Sequence, residues 1–424
     1  MRQCLRMPVF RRLLAAFVLN ELTWAVGTLA LSVVVYRRTG SAIGTAVFYI
    51  CAQVLPALLS PALVAGVDRV NPRRVLPALY GTEALLFGAL AYATHHFTLA
   101  PVLALVLVDG AVAGAARSLA AAARTEVLKP IGLLHEGNAI SNLGFSLVYM
   151  GGPVLGGGVV VAGGTVAALL VNCAFFATMG LVLALTVLPQ AASETDTTGA
   201  LARLREGIAH ARADRPLGRL LVMQTFGLVF FTVTVPVEVV YAQHTLRAGA
   251  GGYGVLMGAW GAGCVVGGGA YARWRRGSPT ALIGGSGIAL AVGFAVMAAA
   301  PSLGVALVGA AIAGAGNAVE TVALRTAVQD RTPGGWMAII LGLSDSSAQL
   351  APGLGYLLGG VITALTVTRV AFAVGAGGSL AFALAVPFVL GLAPAPAAGD
   401  EGANAPAAGA APPGAGPRSD ESLV

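Results

Sequence analysis

Charge is scarce in these 424 residues. Lysine, arginine, aspartate and glutamate make up 10% of the chain, 57% is hydrophobic, and mean hydropathy is +0.83. A soluble domain carries about a quarter of its residues charged, so this chain reads as an integral membrane protein. Cysteine is rare too. Cys4, Cys51, Cys173 and Cys264 share no short spacing, which leaves no zinc site or disulfide framework and makes them small core residues. There is no Walker motif, and no nucleophile, base and oxyanion set. The expectation is therefore no enzyme, no ATP drive, no cofactor and no metal. The formal charge of +7 would suit nucleic acid, but the basic residues fall in short breaks between apolar runs and form no patch, which excludes that partner.

Abundant glycine, 58 residues, fits closely packed transmembrane helices, because small residues let backbones approach where lipid gives no hydrophobic drive. A crossing helix needs about 20 apolar residues. Twelve stretches qualify: 13–36, 43–65, 75–95, 99–118, 138–162, 165–188, 218–241, 252–272, 279–300, 302–322, 337–364 and 369–392. The fold class is thus an all-α membrane protein of twelve transmembrane helices, which the largest internal break, Gln190 to Pro216, splits six and six, as two six-helix bundles would require. Met1 to Arg12 is basic and precedes an apolar run, as in a signal peptide, yet that run reaches Val35 and reads as an uncleaved first helix.

With the N-terminus inside, all but Arg37, Arg38, Arg247 and Arg369 of the 25 lysines and arginines fall on the inner side. That asymmetry predicts a multi-pass protein of the cell membrane, inner or plasma, with both termini cytoplasmic and the lipid bilayer as its surround. The expected domains are an N-terminal bundle over 1–189, a cytoplasmic linker over 190–217, a C-terminal bundle over 218–392 and a disordered tail over 393–424. Within the linker, Leu201, Leu204 and Ile208 at helical spacing beside Arg203, Arg205 and Arg212 predict a short amphipathic helix. The tail is Ala, Pro and Gly with a few acids and cannot bury a core.

The halves echo each other at an offset of about 200 residues. Gly152-Pro153-Val154-Leu155-Gly156-Gly157 recurs loosely as Ala351-Pro352-Gly353-Leu354-Gly355 with Gly359-Gly360. Arg124-Thr125 recurs as Arg325-Thr326, and Arg73-Arg74 as Arg275-Arg276.

Leu31-Ser32-Val33-Val34-Val35-Tyr36 with Gly40-Ser41, the loop Asp68-Arg69-Val70-Asn71-Pro72-Arg73-Arg74-Val75-Leu76, Asn138-Ala139 and the Gly152-Pro153 segment together resemble the major facilitator superfamily over residues 10 to 392. The resemblance is to its twelve-span exporter branch, which includes the enterobactin exporter and macrolide efflux proteins. It implies a secondary transporter, a proton antiporter that exports a drug, siderophore or secondary metabolite by alternating access and confers antibiotic resistance. In that family the loop is a cytoplasmic gate. Here the gate would comprise Asp68, Arg69, Arg73, Arg74, Arg117 and Arg124, with Asp68 contacting the start of the eleventh span near Gly335-Trp336 and Arg117 or Arg124. Gly152, Pro153, Gly156 and Gly157 form the helix-bend motif associated with antiport. Two positions depart from the pattern: Val64 stands where a glycine is usual before the loop aspartate, and Gly110 stands where proton-coupled exporters carry arginine. A proton carrier must then be another buried ionisable group.

Acids inside a membrane are costly and ask for a function. Asp109, roughly 15 Å into the fourth span, is the first candidate for proton coupling, with a structural hydrogen-bonding role as its rival. Glu21, roughly 12 Å into the first, is the second candidate, for a proton or a cationic substrate, with a packing or interfacial role as its rival. Asp345 within Ser344-Asp345-Ser346-Ser347 reads as part of a local hydrogen-bond network and Glu83 as structural. Glu238 and Glu320, deep along their spans, read as near-surface charges, and His95-His96 as a solvated loop pair. Trp24, Phe145, Tyr149, Phe226 and Phe230 are the candidate wall of a substrate cavity for a small amphipathic molecule, though the same residues would pack equally well against lipid. The partners are then protons and that substrate, and the protein is expected to be a monomer. Proton-coupled nutrient uptake is the alternative within transport; a receptor or assembly factor on the same fold is the alternative outside it.

Overall fold

The computed structural model describes residues 2–59, 72–186, 200–274, 277–333 and 336–390. The loop over 60–71, Gly335, Arg275-Arg276 and the tail beyond 390 lie outside the described residues, and with them the expected latch and the expected disorder of the tail.

The described residues are almost entirely helical, with α1 over Pro8–Thr39, α2 over Ala42–Leu59, α3 over Pro72–His95 and α4 over Leu99–Leu128. A single helical stretch, Leu134–Ala184, then runs for 51 residues. Straight, it would be about 75 Å long, more than twice the hydrocarbon of a bilayer. It breaks at Gly164, whose φ of 79° and ψ of 177° lie where essentially only glycine goes. The break yields α5 (134–163) and α6 (165–184), so the eleven apolar helices long enough to cross a membrane among the described residues make twelve spans. The second half continues with α7 over Arg215–Thr245, α8 over Gly249–Trp274, α9 over Pro279–Ala299, α10 over Leu303–Arg331, α11 over Met337–Leu365 and α12 over Thr368–Leu390. An even number of crossings returns the chain to the face it began on, called here the termini-bearing face; the other is the distal face.

A linker helix over Ala200–Ala213 precedes α7. His210 on it stacks on Trp336 at the start of α11, with ring centroids 4.2 Å apart and planes 9° from parallel. Asp214 caps α7, accepting a hydrogen bond from the Leu217 N–H at 3.2 Å, and Arg215-Pro216 opens the helix where a missing N–H costs nothing.

Each half packs as its own bundle. α1 lies along α5 and α6, α3 along α6 and α4, while α10 lies along α8 and α9, and α12 along α7 and α9. Polar side chains tie the first bundle internally: Asn172 Nδ2 of α6 donates to the Thr23 carbonyl of α1 at 2.7 Å. In the second, the Tyr241 hydroxyl of α7 donates to the Met297 carbonyl of α9 at 2.6 Å.

The two halves meet through matching glycines. On α5, a Cβ at Gly152 would stand 2.9 Å from Ala25 Cβ and one at Gly156 would stand 3.1 Å from Val26 Cα, both on α1 of the same bundle. One at Gly157 would stand 3.1 Å from Gly254 Cα on α8 of the other bundle. On α11, Gly355 and Gly359 press on Thr232 and Val233 of α7, its own bundle, and a Cβ at Gly360 would stand 2.7 Å from Ala46 Cβ of α2 across the interface. The pattern is the same in both: two glycines four apart against the home bundle, and the next residue against the partner. The internal repeat is therefore one of contact as well as of sequence.

Candidate functional site

Between the halves lies a cavity of about 200 Å³. α1 contributes Glu21, Trp24 and Thr28, α2 Tyr49 and Gln53, α5 Phe145, Tyr149 and Pro153, α7 Phe231, Thr232 and Glu238, α8 Tyr253 and Trp260, and α11 Tyr356. The local backbone explains much of this wall. In α2 the Leu55 N–H bonds back to the Ile50 carbonyl, an i→i+5 turn that widens the helix beside Tyr49 and Gln53. In α7 the helix stops at Thr232 and restarts at Val235, because Pro236 has no N–H for the Thr232 carbonyl.

Aromatic and carboxylate groups share the space. Phe145 stacks on Tyr149 with centroids 5.5 Å apart, and Phe231 lies against Trp260 at 5.3 Å. The Tyr49 and Tyr253 hydroxyls are 3.1 Å apart, and the Tyr356 hydroxyl donates to Gln53 Oε1 at 3.1 Å. Glu238, buried, sits within electrostatic reach of Tyr49, Tyr149, Tyr253 and Tyr356. The lining has two carboxylates, Glu21 and Glu238, and neither arginine nor lysine. A cavity so composed favours a molecule with an apolar body and a positive charge.

Among the described residues, the hydrogen bonds that join the halves run from mid-depth to the distal face. They include Tyr356 to Gln53, Tyr49 to Tyr253, and at the distal rim Arg37 Nε to Gln243 Oε1 at 2.7 Å. The glycine crossing of α5 and α8 stands beside them. Gly261 on α8 comes so close that a Cβ would be 2.6 Å from the Tyr149 carbonyl, the acceptor that Pro153 leaves without its helical donor.

A second, smaller cavity of about 60 Å³ lies inside the first bundle, bordered by Asn20, Thr23, Trp24 and Thr28 of α1, Glu83 of α3, and Asp109 and Arg117 of α4. Glu83 is wholly inaccessible and neither carboxylate oxygen has a hydrogen-bond partner among the described residues; the same holds for Asp109 Oδ1. Trp24 and Thr28 border both cavities.

Of the residues singled out from sequence, Glu21, Trp24, Phe145 and Tyr149 line the central cavity. Asp109 lies in the smaller one. Phe226 and Phe230 border a separate depression against α11, and Phe230 also packs on Gly378 of α12. Arg117 borders the small cavity, and Arg124 lies over the Phe17 ring with its guanidinium 4.2 Å from the centroid. Arg74 is exposed on α3, while Asp68 and Arg69 lie outside the described residues, as does the side chain of Arg73. At Gly110 a Cβ would be 2.5 Å from Pro56 and 2.8 Å from the Ala52 carbonyl, so α2 occupies the room an arginine would need.

Two acids are placed differently from expectation. Glu238 was expected near a surface, by counting depth along a straight helix; α7 is broken at 233–234 and runs for 31 residues, more than a bilayer requires, and this brings Glu238 into the central cavity. Glu320 was expected as an interfacial charge; it is buried on α10, its Oε1 3.1 Å from where a Gly227 Cβ would stand on α7, next to Phe382 of α12. Asp345 forms an exposed ion pair with Arg325 at 3.3 Å. Phe231, Tyr253, Trp260 and Tyr356 were not anticipated in the wall; a Tyr or Trp on a crossing helix has no sequence mark that tells cavity from lipid.

Residues 13–351 match the family described as Major Facilitator Superfamily. The chain belongs to the major facilitator superfamily. Solved structures agree on this superfamily fold. A point mutant of the nucleoside transporter NupG superposes with a TM-score of 0.72 at 15% identity, over 90% of this chain and 100% of that one. The human organic anion transporter MFSD10 (TETRAN) gives 0.60 at 20% identity, over 89% and 98%. A bacterial homologue of the iron transporter ferroportin, in its inward-facing state, gives 0.66 at 14%, over 90% and 97%. No curated protein matches the sequence. Superfamily membership and this fold make the chain a multi-pass transporter of a small molecule rather than an enzyme.

Proposed function

We propose that this protein is a proton-coupled exporter of small amphipathic cations that works by alternating access. The observation that carries the reading is the central cavity: aromatic walls, two carboxylates and no basic residue in its lining. Two six-helix bundles, 1–189 and 218–392, rock about that cavity. With the termini on the cytoplasmic side of the cell membrane, as the arginine distribution favours, the distal contacts close the outer gate and the cavity faces inward. Asp109 carries the proton. Export rather than uptake is supported by the resemblance of the Gly152-Pro153 segment to the antiporter motif. Opposite preferences of proton and substrate for the two states couple the flows.

The test uses ethidium in inverted vesicles holding the protein. A proton gradient is expected to drive accumulation. Glu238→Gln removes a charged partner of the cation, an interaction of about 1.5–3 kcal/mol, and should weaken apparent affinity about 10- to 150-fold. Asp109→Asn should abolish gradient-driven uptake while leaving downhill exchange. Gradient-driven ethidium transport undiminished by Asp109→Asn would remove Asp109 as the carrier; full affinity in Glu238→Gln would remove the cation site.

A further inference from the structure

A fully buried carboxylate with no partner is among the costliest groups a protein can hold, and a group so placed neutralises rather than stay charged alone. Glu83 is such a group. It is inaccessible, both oxygens are unpaired among the described residues, and it borders the small cavity inside the first bundle. Asp109 stands across that cavity on α4. Counted from the distal ends of their helices, Glu83 and Asp109 lie at about 18 and 15 Å, the same level of the membrane.

The groups facing the pair can be named element by element. α4 brings Arg117, which acts electrostatically on both acids, and α3 brings Tyr80. From α1 come Asn20 and Thr23, and from α6 Phe176, all uncharged. Arg117 sits two turns after Asp109, and helical side chains lean toward the N-terminus, so its guanidinium points back along α4 to the cavity.

We propose that Glu83 and Asp109 form a two-carboxylate site that holds one exchangeable proton between them, set by the single fixed positive charge of Arg117. Two carboxylates that border one small buried cavity do not both ionise. Arg117 balances one of them, and a proton on the other makes the group neutral. The site is one residue thick from the central cavity, because Trp24 and Thr28 wall both. A substrate against the Trp24 indole thus touches the cover of the proton site, which gives the two ligands a shared element to bias. The inference deepens the exporter reading, since it assigns the coupled proton to a pair rather than to Asp109 alone.

The measurement needs no substrate and so stands apart from the transport assay. Purified full-length protein is titrated with protons while infrared difference spectra follow the C=O stretch of protonated carboxyls. Glu83→Gln and Asp109→Asn are each expected to lose one carboxyl's worth of signal at neutral pH, because Arg117 then balances the remaining acid. Arg117→Gln, at an exposed position on α4, should gain one. The gain is the decisive arm, as a misfolded variant would not produce it. Loss of signal in Asp109→Asn alone, with Glu83→Gln and Arg117→Gln like wild type, would overturn the pair. Displacement of the wild-type signal by sodium at fixed pH would also overturn it, in favour of a metal cation site.

Discussion

If the glycine crossing of α5 and α8 holds the distal gate shut, a single methyl group should open it. A Cβ on Gly254 would stand 2.6 Å from the Pro153 carbonyl oxygen and 3.0 Å from Gly157 Cα, both backbone atoms with no rotamer to yield. Ordinary contact for such a carbon begins at about 3.4 Å, so the helices must part by about 0.8 Å at that point. Overpacking a close-packed interface costs about 1–3 kcal/mol. If the closed state alone bears that cost, the equilibrium moves about 5- to 150-fold toward the distal-open state. Spin labels on Arg38→Cys and His244→Cys, both exposed at the distal ends of α1 and α7, report the gap by pulsed electron resonance in a background freed of the four native cysteines. Gly254→Ala should enlarge the long-distance population by that factor. Gly268→Ala on the same helix, where an added Cβ meets nothing within 4 Å, should leave it unchanged. Identical distance distributions for Gly254→Ala and wild type would refute the idea that this crossing sets the gate.

Gly164→Ala meets no neighbour within 4 Å, so its whole cost is the backbone conformation at φ 79°, about 1–3 kcal/mol; a lowered midpoint in thermal unfolding of the purified protein checks it. Arg325→Ala should change that midpoint little, because its ion pair with Asp345 is more than half exposed on both sides and such pairs are worth about 0–1 kcal/mol. Gly110→Ala should destabilise by about 1–3 kcal/mol, since its Cβ runs into Pro56 and the Ala52 carbonyl of α2; denaturant titration of the solubilised protein reads the loss.

How far the sequence could be read depended on what kind of signal each feature leaves. Twelve crossings are legible because hydrocarbon demands long apolar runs, and even the division of the 51-residue stretch appears as Gly163-Gly164 between two runs. The Gly152 and Gly355 segments are legible as a repeat, yet their use is not: only packing shows that Gly156 and Gly359 face home while Gly157 and Gly360 face the partner bundle. Acids are legible as expensive, but depth counted along a straight helix fails wherever the helix bends or outruns the bilayer, which hid Glu238 behind the break before Pro236. Rotation about the helix axis is the coordinate that apolar sequence records least, since lipid and cavity wall accept the same aromatic residues. Phe230 and Phe231 are neighbours in the chain, and one turns to α12 while the other lines the central cavity. The role of Glu83 is hidden for the same reason: that its carboxylate borders the cavity Asp109 also borders, and meets no donor among the described residues, is decided by the rotation of α3 against α4. What makes it a candidate for chemistry is therefore a relation between two helices, and neither helix carries that relation alone.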